Sequence, residues 1–249
     1  MMITEHDHTN RCWWNPDEAR WICRPAAPTT ETPLVDVRDM IVVHTAMLRE
    51  FRLAPAAVRR THADDRKQAT TVAAHLTFLC DMLHHHHAGE DELLWPKLRE
   101  RVPASAVQLL DDAEAQHEDI DAALTRTVRL RDAWAAAPTD SARDELASSL
   151  DELHAVLSAH LDLEERALLP LAAAKLTPDE WHAAGEAGAK SMGKPALALA
   201  FGMFAYEGDP AVLRDMLKAA PAVPRMLLPR VAPRIYARRA RRIHGTARP

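Results

Sequence analysis

The chain has 249 residues, enough for one large domain with an appendage. Aromatic residues make up 5% and glycines number 7; with abundant Ala and Leu this favours helices over sheets, and no apolar run approaches the roughly twenty residues of a membrane span. The formal net charge of −5 hides an asymmetry: residues 221–249 carry eight Arg and no Asp or Glu, so an acidic body bears a basic tail.

The opening MMITEHDHTNRCWW lacks a basic region followed by an apolar one, so it does not read as a secretory signal. Three cysteines are too few for a disulfide framework, and a reducing cytoplasm is the expected location. His6, His8, Cys12 and Cys23 are all potential metal ligands, but they lack CxxC spacing. Residues 1–33 read as an N-terminal extension, with Trp13 and Trp14 anchoring it and RPAAPTTETP (24–33) as an extended linker.

Four helical patterns follow. Leu34, Val37, Met40, Ile41, His44, Met47, Leu48 and Phe51 step along one helix face, and Pro55 marks a turn after them. Leu76, Leu79, Leu83, His86, Glu90 and Leu94 make a second stripe, which Pro96 kinks or stops. The third runs Leu110, Ala113, His117, Ile120, Leu124 and Val128. The fourth runs Leu150, Leu153, Val156, Leu157, His160, Glu164, Leu168 and Leu171, with Asp140 or Ser141 as its N-cap. TPDE (177–180) starts a further helix with a Thr cap, Pro at the first position and Glu at the third. The expected fold is all-α: an up-down four-helix bundle over 34–175, followed by a helical C-terminal extension with an Arg-rich tail over 176–249.

The pattern repeats. His44 and His86 stand 42 residues apart and His117 and His160 stand 43 apart. HHAGEDELLWP (86–96) aligns without a gap to HLDLEERALLP (160–170), the mark of a duplicated helical hairpin. In the HHHH run, His84 and His85 lie about 100° and 160° from the core direction set by Leu83 and should face water. His87, beside Asp91, rivals His86 on periodicity, and the gapless match selects His86. By the same count Glu164 lies on its stripe, and Glu165 falls about 100° further round and should face solvent. His75 and His154 sit at stripe edges and read as structural.

A polar side chain on a buried helix face is costly unless it is paired or coordinated. Here four helices each place a histidine inward, and two add a glutamate one turn on. A shared metal centre explains all six groups. Imidazole with carboxylate suits iron, manganese or zinc, and six ligands are too many for one tetrahedral zinc. Two six-coordinate metals need about twelve positions. Two bridging carboxylates and four imidazoles fill eight, which leaves places for a bridging oxo or hydroxo group, solvent or a small ligand.

The H…HxxxE…H…HxxxE arrangement, with the ED-x-x-L-W-P and EE-x-x-L-L-P endings, resembles the hemerythrin-like, HHE cation-binding domain. The resemblance implies a four-helix bundle holding two iron ions, with His44, His86, Glu90, His117, His160 and Glu164 as ligands and the two glutamates bridging. Two features depart from the oxygen-carrying members. Asp121 stands where they have a second histidine one turn after the helix-three histidine, and the second carboxylate follows its histidine by four residues rather than five. Both turn the expectation from oxygen transport toward a non-haem di-iron protein that binds or reacts with dioxygen, peroxide or nitric oxide. If it is an enzyme, it is expected to be an oxidoreductase, catalase- or peroxidase-like or an oxygenase or oxidase with an organic substrate. The alternative is a sensor of oxygen, redox state or iron without turnover. ALALAFGMFAY (196–206) is expected to cap the bundle or line a route to the metal. The basic tail reads as packing on the acidic bundle rather than on a membrane surface, and no motif points to nucleic acid.

Overall fold

The computed structural model describes residues 32–249 apart from residue 219, together with the backbone of two short strands near the N-terminus. Those strands, Cys12–Asn15 and Arg20–Cys23, pair antiparallel with Cys12 opposite Cys23, a hairpin that the sequence reading did not anticipate. The side chains of His6, His8, Cys12, Trp13, Trp14 and Cys23 lie outside the described residues, as does most of the 24–33 linker.

The other regular structure of the described residues is helical. The helices are α1 (Arg38–Arg59), α2 (Arg66–Leu93), α3 (Trp95–Arg99), α4 (Ala104–Ala136), α5 (Asp140–Leu163), α6 (Leu169–Lys175), α7 (Pro178–Ser191), α8 (Lys194–Phe204), α9 (Pro210–Met216) and α10 (Ala222–His244). A π-helical turn, Glu164–Leu168, joins α5 to α6. Among the described residues no helix is long and apolar enough to cross a membrane.

Local chemistry sets most boundaries. Asp65 caps α2 by accepting from the Gln68 N–H at 3.0 Å. Thr177 and Glu180 form the reciprocal capping box that starts α7, with Pro178 in the first turn. Two expectations fail. The N-cap of α5 is Thr139, whose hydroxyl accepts from the Ala142 N–H; Asp140, one residue later, opens the helix where a negative charge suits the dipole. Pro55 does not end α1, which runs on to Arg59. The backbone hydrogen bond that Pro55 cannot make costs stability, but Ala54, Pro55, Ala57 and Val58 are all buried, and that apolar face holds the last turn in place.

α1 packs against α5 and α2, and α4 against α5 and α2. The buried apolar side chains of these helices form two clusters. One gathers Val35, Val37, Ile41, Leu94, Trp95, Leu98, Leu110, Ala113, Leu168 and Trp181. The other gathers Met47, Phe51, Val58, Leu76, Leu83, Ile120, Trp134, Leu150 and Leu157. Along α1 and α4 the chain passes from the first cluster to the second, and along α2 and α5 it passes back. On each of the four helices the crossing falls within about one turn of an inward histidine.

The C-terminal helices thicken the second cluster. α8 packs on α10, and both contact α1. Their crossing is close at Gly202, where a Cβ would meet the Ala232 carbonyl oxygen at 2.3 Å. Ala232, Tyr236, Ala240 and Ile243 are the buried stripe of α10. Its arginines surround that stripe, so the basic tail does pack back on the body. ALALAFGMFAY belongs to this apolar cluster through Ala200, Phe201, Met203 and Phe204.

Candidate metal centre

His44 comes from α1, His86, His87 and Glu90 from α2, His117 from α4, His160 from α5, and Glu164 from the first residue of the π-turn. All seven lie in the polar layer between the two apolar clusters. His44 is 1% exposed, Glu90 1%, and His160 and Glu164 0%, so water cannot solvate them.

The imidazoles form two pairs. His44 Nε2 lies 3.0 Å from His86 Nε2, and His117 Nε2 lies 3.1 Å from His160 Nε2. Each carboxylate reaches one member of each pair. Glu90 places Oε1 3.5 Å from His86 Nε2 and Oε2 3.8 Å from His117 Nε2. Glu164 places Oε1 3.4 Å from His160 Nε2 and Oε2 3.6 Å from His44 Nε2. These separations are too long for hydrogen bonds, and all four carboxylate oxygens lack a partner among the described residues. Four orphaned buried oxygens facing imidazole nitrogens is an arrangement that folding alone does not favour. A cation in each pair would satisfy every group, and the residues present therefore fit a two-metal site.

The far side of each ring supports the same reading. The Nδ1 of His44 bonds Glu165 Oε1 at 3.1 Å, that of His117 bonds Asp91 Oδ1 at 2.8 Å, and that of His160 bonds Gln116 Oε1 at 3.1 Å. With the proton on Nδ1 donating outward, the Nε2 lone pair points to the centre, as metal-ligating histidines require.

Electrostatics in the metal-free protein run the same way. Burial pushes His44 down to about 3, and burial with the neighbouring imidazoles pushes His160 down to about 2. His86 and His87 are also driven well below the usual range, by burial first and then by neighbouring imidazoles, His44 and His117 for His86 and chiefly His117 for His87. Glu90 and Glu164 rise well above the carboxylate range, first through burial and then through nearby acids, Glu164 acting on Glu90 and Glu165 on Glu164. Neutral imidazoles are already in the ligating form, whereas the carboxylates must release protons as a cation binds.

The structure brings together the six residues singled out from the sequence, as two groups: His44, His86, Glu90 and Glu164, and His117, His160 and His87, with ligating atoms within 4.8 Å of one another in each. His87 is the residue that sequence reading placed second. It is 3% exposed. Its ring stacks on His117 at 4.2 Å and meets His160 edge-on at 5.0 Å, and neither of its nitrogens has a partner among the described residues. Its expected mate Asp91 holds His117 instead. The signal was present: His87 lies one helical turn beyond Leu83, as near the core direction as Glu90 is to His86. The gapless alignment hid it, because the second repeat has Leu161 there.

Glu165 is a second correction. Expected to face solvent, it is 12% exposed and accepts from His44, and burial pushes its carboxyl up to about 8. The π-turn that begins at Glu164 is the reason. Its wider turn advances each residue through a smaller angle than an α-helix does, which swings Glu165 back toward α1. Asp121 takes no part in the centre. It is 58% exposed and faces His84 on the surface, and His84 and His85 are exposed as expected.

Helices that bring buried histidines and glutamates together in one polar layer define a cation-binding helical protein. The family model of the hemerythrin HHE cation-binding domain matches residues 35–172, and the chain belongs to that family. Among curated proteins it is similar to the iron–sulfur cluster repair protein YtfE of Enterobacter sp. (strain 638), 28% identical over 148 residues, which cover 57% of this chain and 67% of that protein. The YtfE proteins of Citrobacter koseri and Escherichia coli are 26% identical over 149 residues, with the same coverage. No solved structure matches the chain. The family and these relatives support an iron-binding, redox-related function.

Proposed function

We propose that α1, α2, α4 and α5, within a domain of residues 34–175, act as an up-down four-helix bundle that holds two iron ions and binds or reacts with a small oxidant: dioxygen, peroxide or nitric oxide. The alternation of the apolar clusters from helix to helix supports the bundle. One observation carries the two-iron reading: Glu90 and Glu164 each span both histidine pairs. His44 and His86 would hold one iron, His117 and His160 the other, and the two glutamates would bridge. His87 adds a third imidazole beside His117 and His160, in place of the ligand that Asp121 does not supply. When bound, a pair of irons provides redox-active positions open to a small ligand.

The chain's own groups do the rest. Glu165, Asp91 and Gln116 fix the tautomers and ring angles of His44, His117 and His160. The apolar clusters on either side exclude water from the layer. His86, with its side chain 10% exposed, is the most exposed of the six. The residues from 176 onward form an extension that packs on the bundle. Because the relatives carry the name of iron–sulfur cluster repair, a role in repairing oxidant-damaged clusters is the second reading, with the damaged cluster as substrate. A soluble cytoplasmic setting suits both.

The test is metal analysis with optical spectra on the purified chain and on Glu164→Ala. About two irons per chain and a spectrum that responds to oxygen, peroxide or nitric oxide support the proposal. Unchanged iron in the variant refutes the bridging role. Turnover of a donor would make it an enzyme, and ligand-dependent spectra without turnover would make it a sensor.

A further inference from the structure

A second cluster of metal-ligating side chains lies apart from the centre. Glu50 is six residues beyond His44 on α1, about 9 Å along the helix, and His75 is eleven residues before His86 on α2, roughly 16 Å away. His244, from the last turn of α10, meets them. Glu50 Oε1 is occupied: it accepts from the Tyr236 hydroxyl at 2.6 Å and from Arg49 Nη2 at 3.1 Å. Oε2 faces two imidazole nitrogens, His75 Nε2 at 3.0 Å and His244 Nε2 at 3.5 Å. The two rings meet edge-on with centroids 6.0 Å apart.

His244 is the unexplained member. Its side chain is 4% exposed, yet neither ring nitrogen has a hydrogen-bond partner among the described residues. A buried imidazole without partners is costly. It is also fixed in place by backbone contacts. Arg60 and Gln68 hold the carbonyls of Ile243 and Arg242, and Gly245, at φ 75°, ends the helix directly after it. Two imidazoles and one carboxylate oxygen, with ligating atoms within 4.8 Å of one another, are the donor set of His₂–carboxylate zinc sites. Around a tetrahedral zinc, ligand atoms about 2.0–2.1 Å from the metal stand about 3.3 Å apart, and the separations from Glu50 Oε2, 3.0 and 3.5 Å, bracket that value.

We propose that Glu50, His75 and His244 form a mononuclear divalent transition-metal site of the zinc type that fastens α10 to α1 and α2. The surroundings select the metal. Arg49 shares the carboxylate, and the charge of Arg239 also bears on His75, so a hard cation held by charge alone is disfavoured. One carboxylate oxygen is too few for calcium or magnesium. An ion that bonds imidazole strongly meets neither objection in full. The site stands independently of the iron reading above.

The test uses the full, iron-loaded chain. Zinc chloride is added, the protein is desalted, and bound metals are quantified alongside thermal melting. The expected result is one zinc per chain beyond the iron, with a higher melting temperature. His244→Ala loses that zinc and the thermal shift but keeps its iron and its helical circular dichroism, and His244→Cys, which restores a zinc ligand, regains both. His160→Ala loses iron and keeps the zinc, so failure of the iron reading is distinguishable. Absence of the extra zinc in the wild-type chain overturns the site. So does zinc that survives in His244→Ala and disappears only from a His84→Ala/His85→Ala variant, since that places the ion on the exposed histidines.

Discussion

The two buried polar clusters of this protein are built from the same side chains and solve opposite problems. Around Glu50 the fold supplies partners: Arg49, Tyr236 and His75 all bond the carboxylate, Arg49 also pairs with Glu207, and α1, α2 and α10 are joined through it. Burial works to raise Glu50, but the imidazoles of His244 and His75 that face it and the Arg49 charge outweigh it and hold the group well below its usual range. Around Glu90 and Glu164 the fold withholds partners, and burial drives both carboxyls up. In the first cluster the carboxylate is satisfied as folded, and only the imidazole of His244 beside it lacks a partner among the described residues. In the second the carboxylates themselves are unpartnered, as expected where a functional group is to be bound.

The sharpest way to break that comparison is to neutralise one carboxylate in each cluster. In chelator-stripped protein, Glu50→Gln takes one of two carboxylates from buried Arg49, which keeps Glu207, and should cost about 1.5–3 kcal/mol, read as a lower urea midpoint. Glu164→Gln replaces an unbonded carboxyl whose charge burial already disfavours, so it should shift stability by less than about 1 kcal/mol. Equal losses in the two variants would mean that the clusters do not differ in kind. With iron supplied the order inverts: Glu164→Gln should lose most bound iron, whereas Glu50→Gln, kept cold enough to remain folded, should retain it.

A smaller effect separates the neighbours in the HHHH run. His87→Ala should release iron to a chelator at least about tenfold more readily than wild type, the scale seen for supporting groups at metal sites. His85→Ala, exposed, should behave as wild type. Glu165→Gln should fall between them, because it weakens the group that orients His44 without removing a ligand. If His87→Ala and His85→Ala release iron alike, His87 is a bystander.

These neighbours also show where the sequence was legible. Four stripes of apolar residues with inward His and Glu were enough for the helices, their order and the six residues that meet. Such spacing reports the α-helical angle faithfully. It failed where the backbone leaves that angle or where a repeat lacks an equivalent. The π-turn at Glu164–Leu168 turned Glu165 inward, and no periodicity computed for an α-helix could show it. His87 was passed over because its counterpart is Leu161. Pro55 was read as a stop because local propensity does not record the tertiary packing that overrides it. His244 and Tyr236 reach Glu50 across nearly the whole chain, a contact that no local pattern carries.

A last prediction concerns a part-buried carboxyl outside both clusters. Asp39, in the first turn of α1, accepts from Trp181 Nε1 at 3.0 and 3.2 Å and ties α1 to α7. Burial lifts it to about 6; Asp36 adds to that, and the bonds from Trp181 and Met40 and the nearby His182 oppose it. Because its folded value is raised, the stability Asp39 contributes is full below its usual value of 3.8 and is lost as pH rises through about 6. Asp39→Asn keeps an acceptor for the indole and removes the buried charge. A two-unit shift corresponds to about 3 kcal/mol. The lost helix-dipole interaction takes back about 0.3–1 kcal/mol, so the variant should be more stable than wild type by about 2–3 kcal/mol at pH 8 and equal to it or slightly weaker near pH 4. Urea midpoints at the two pH values measure this. A difference of the same size at both would show that Asp39 acts through shape alone, leaving the two clusters and the iron content untouched.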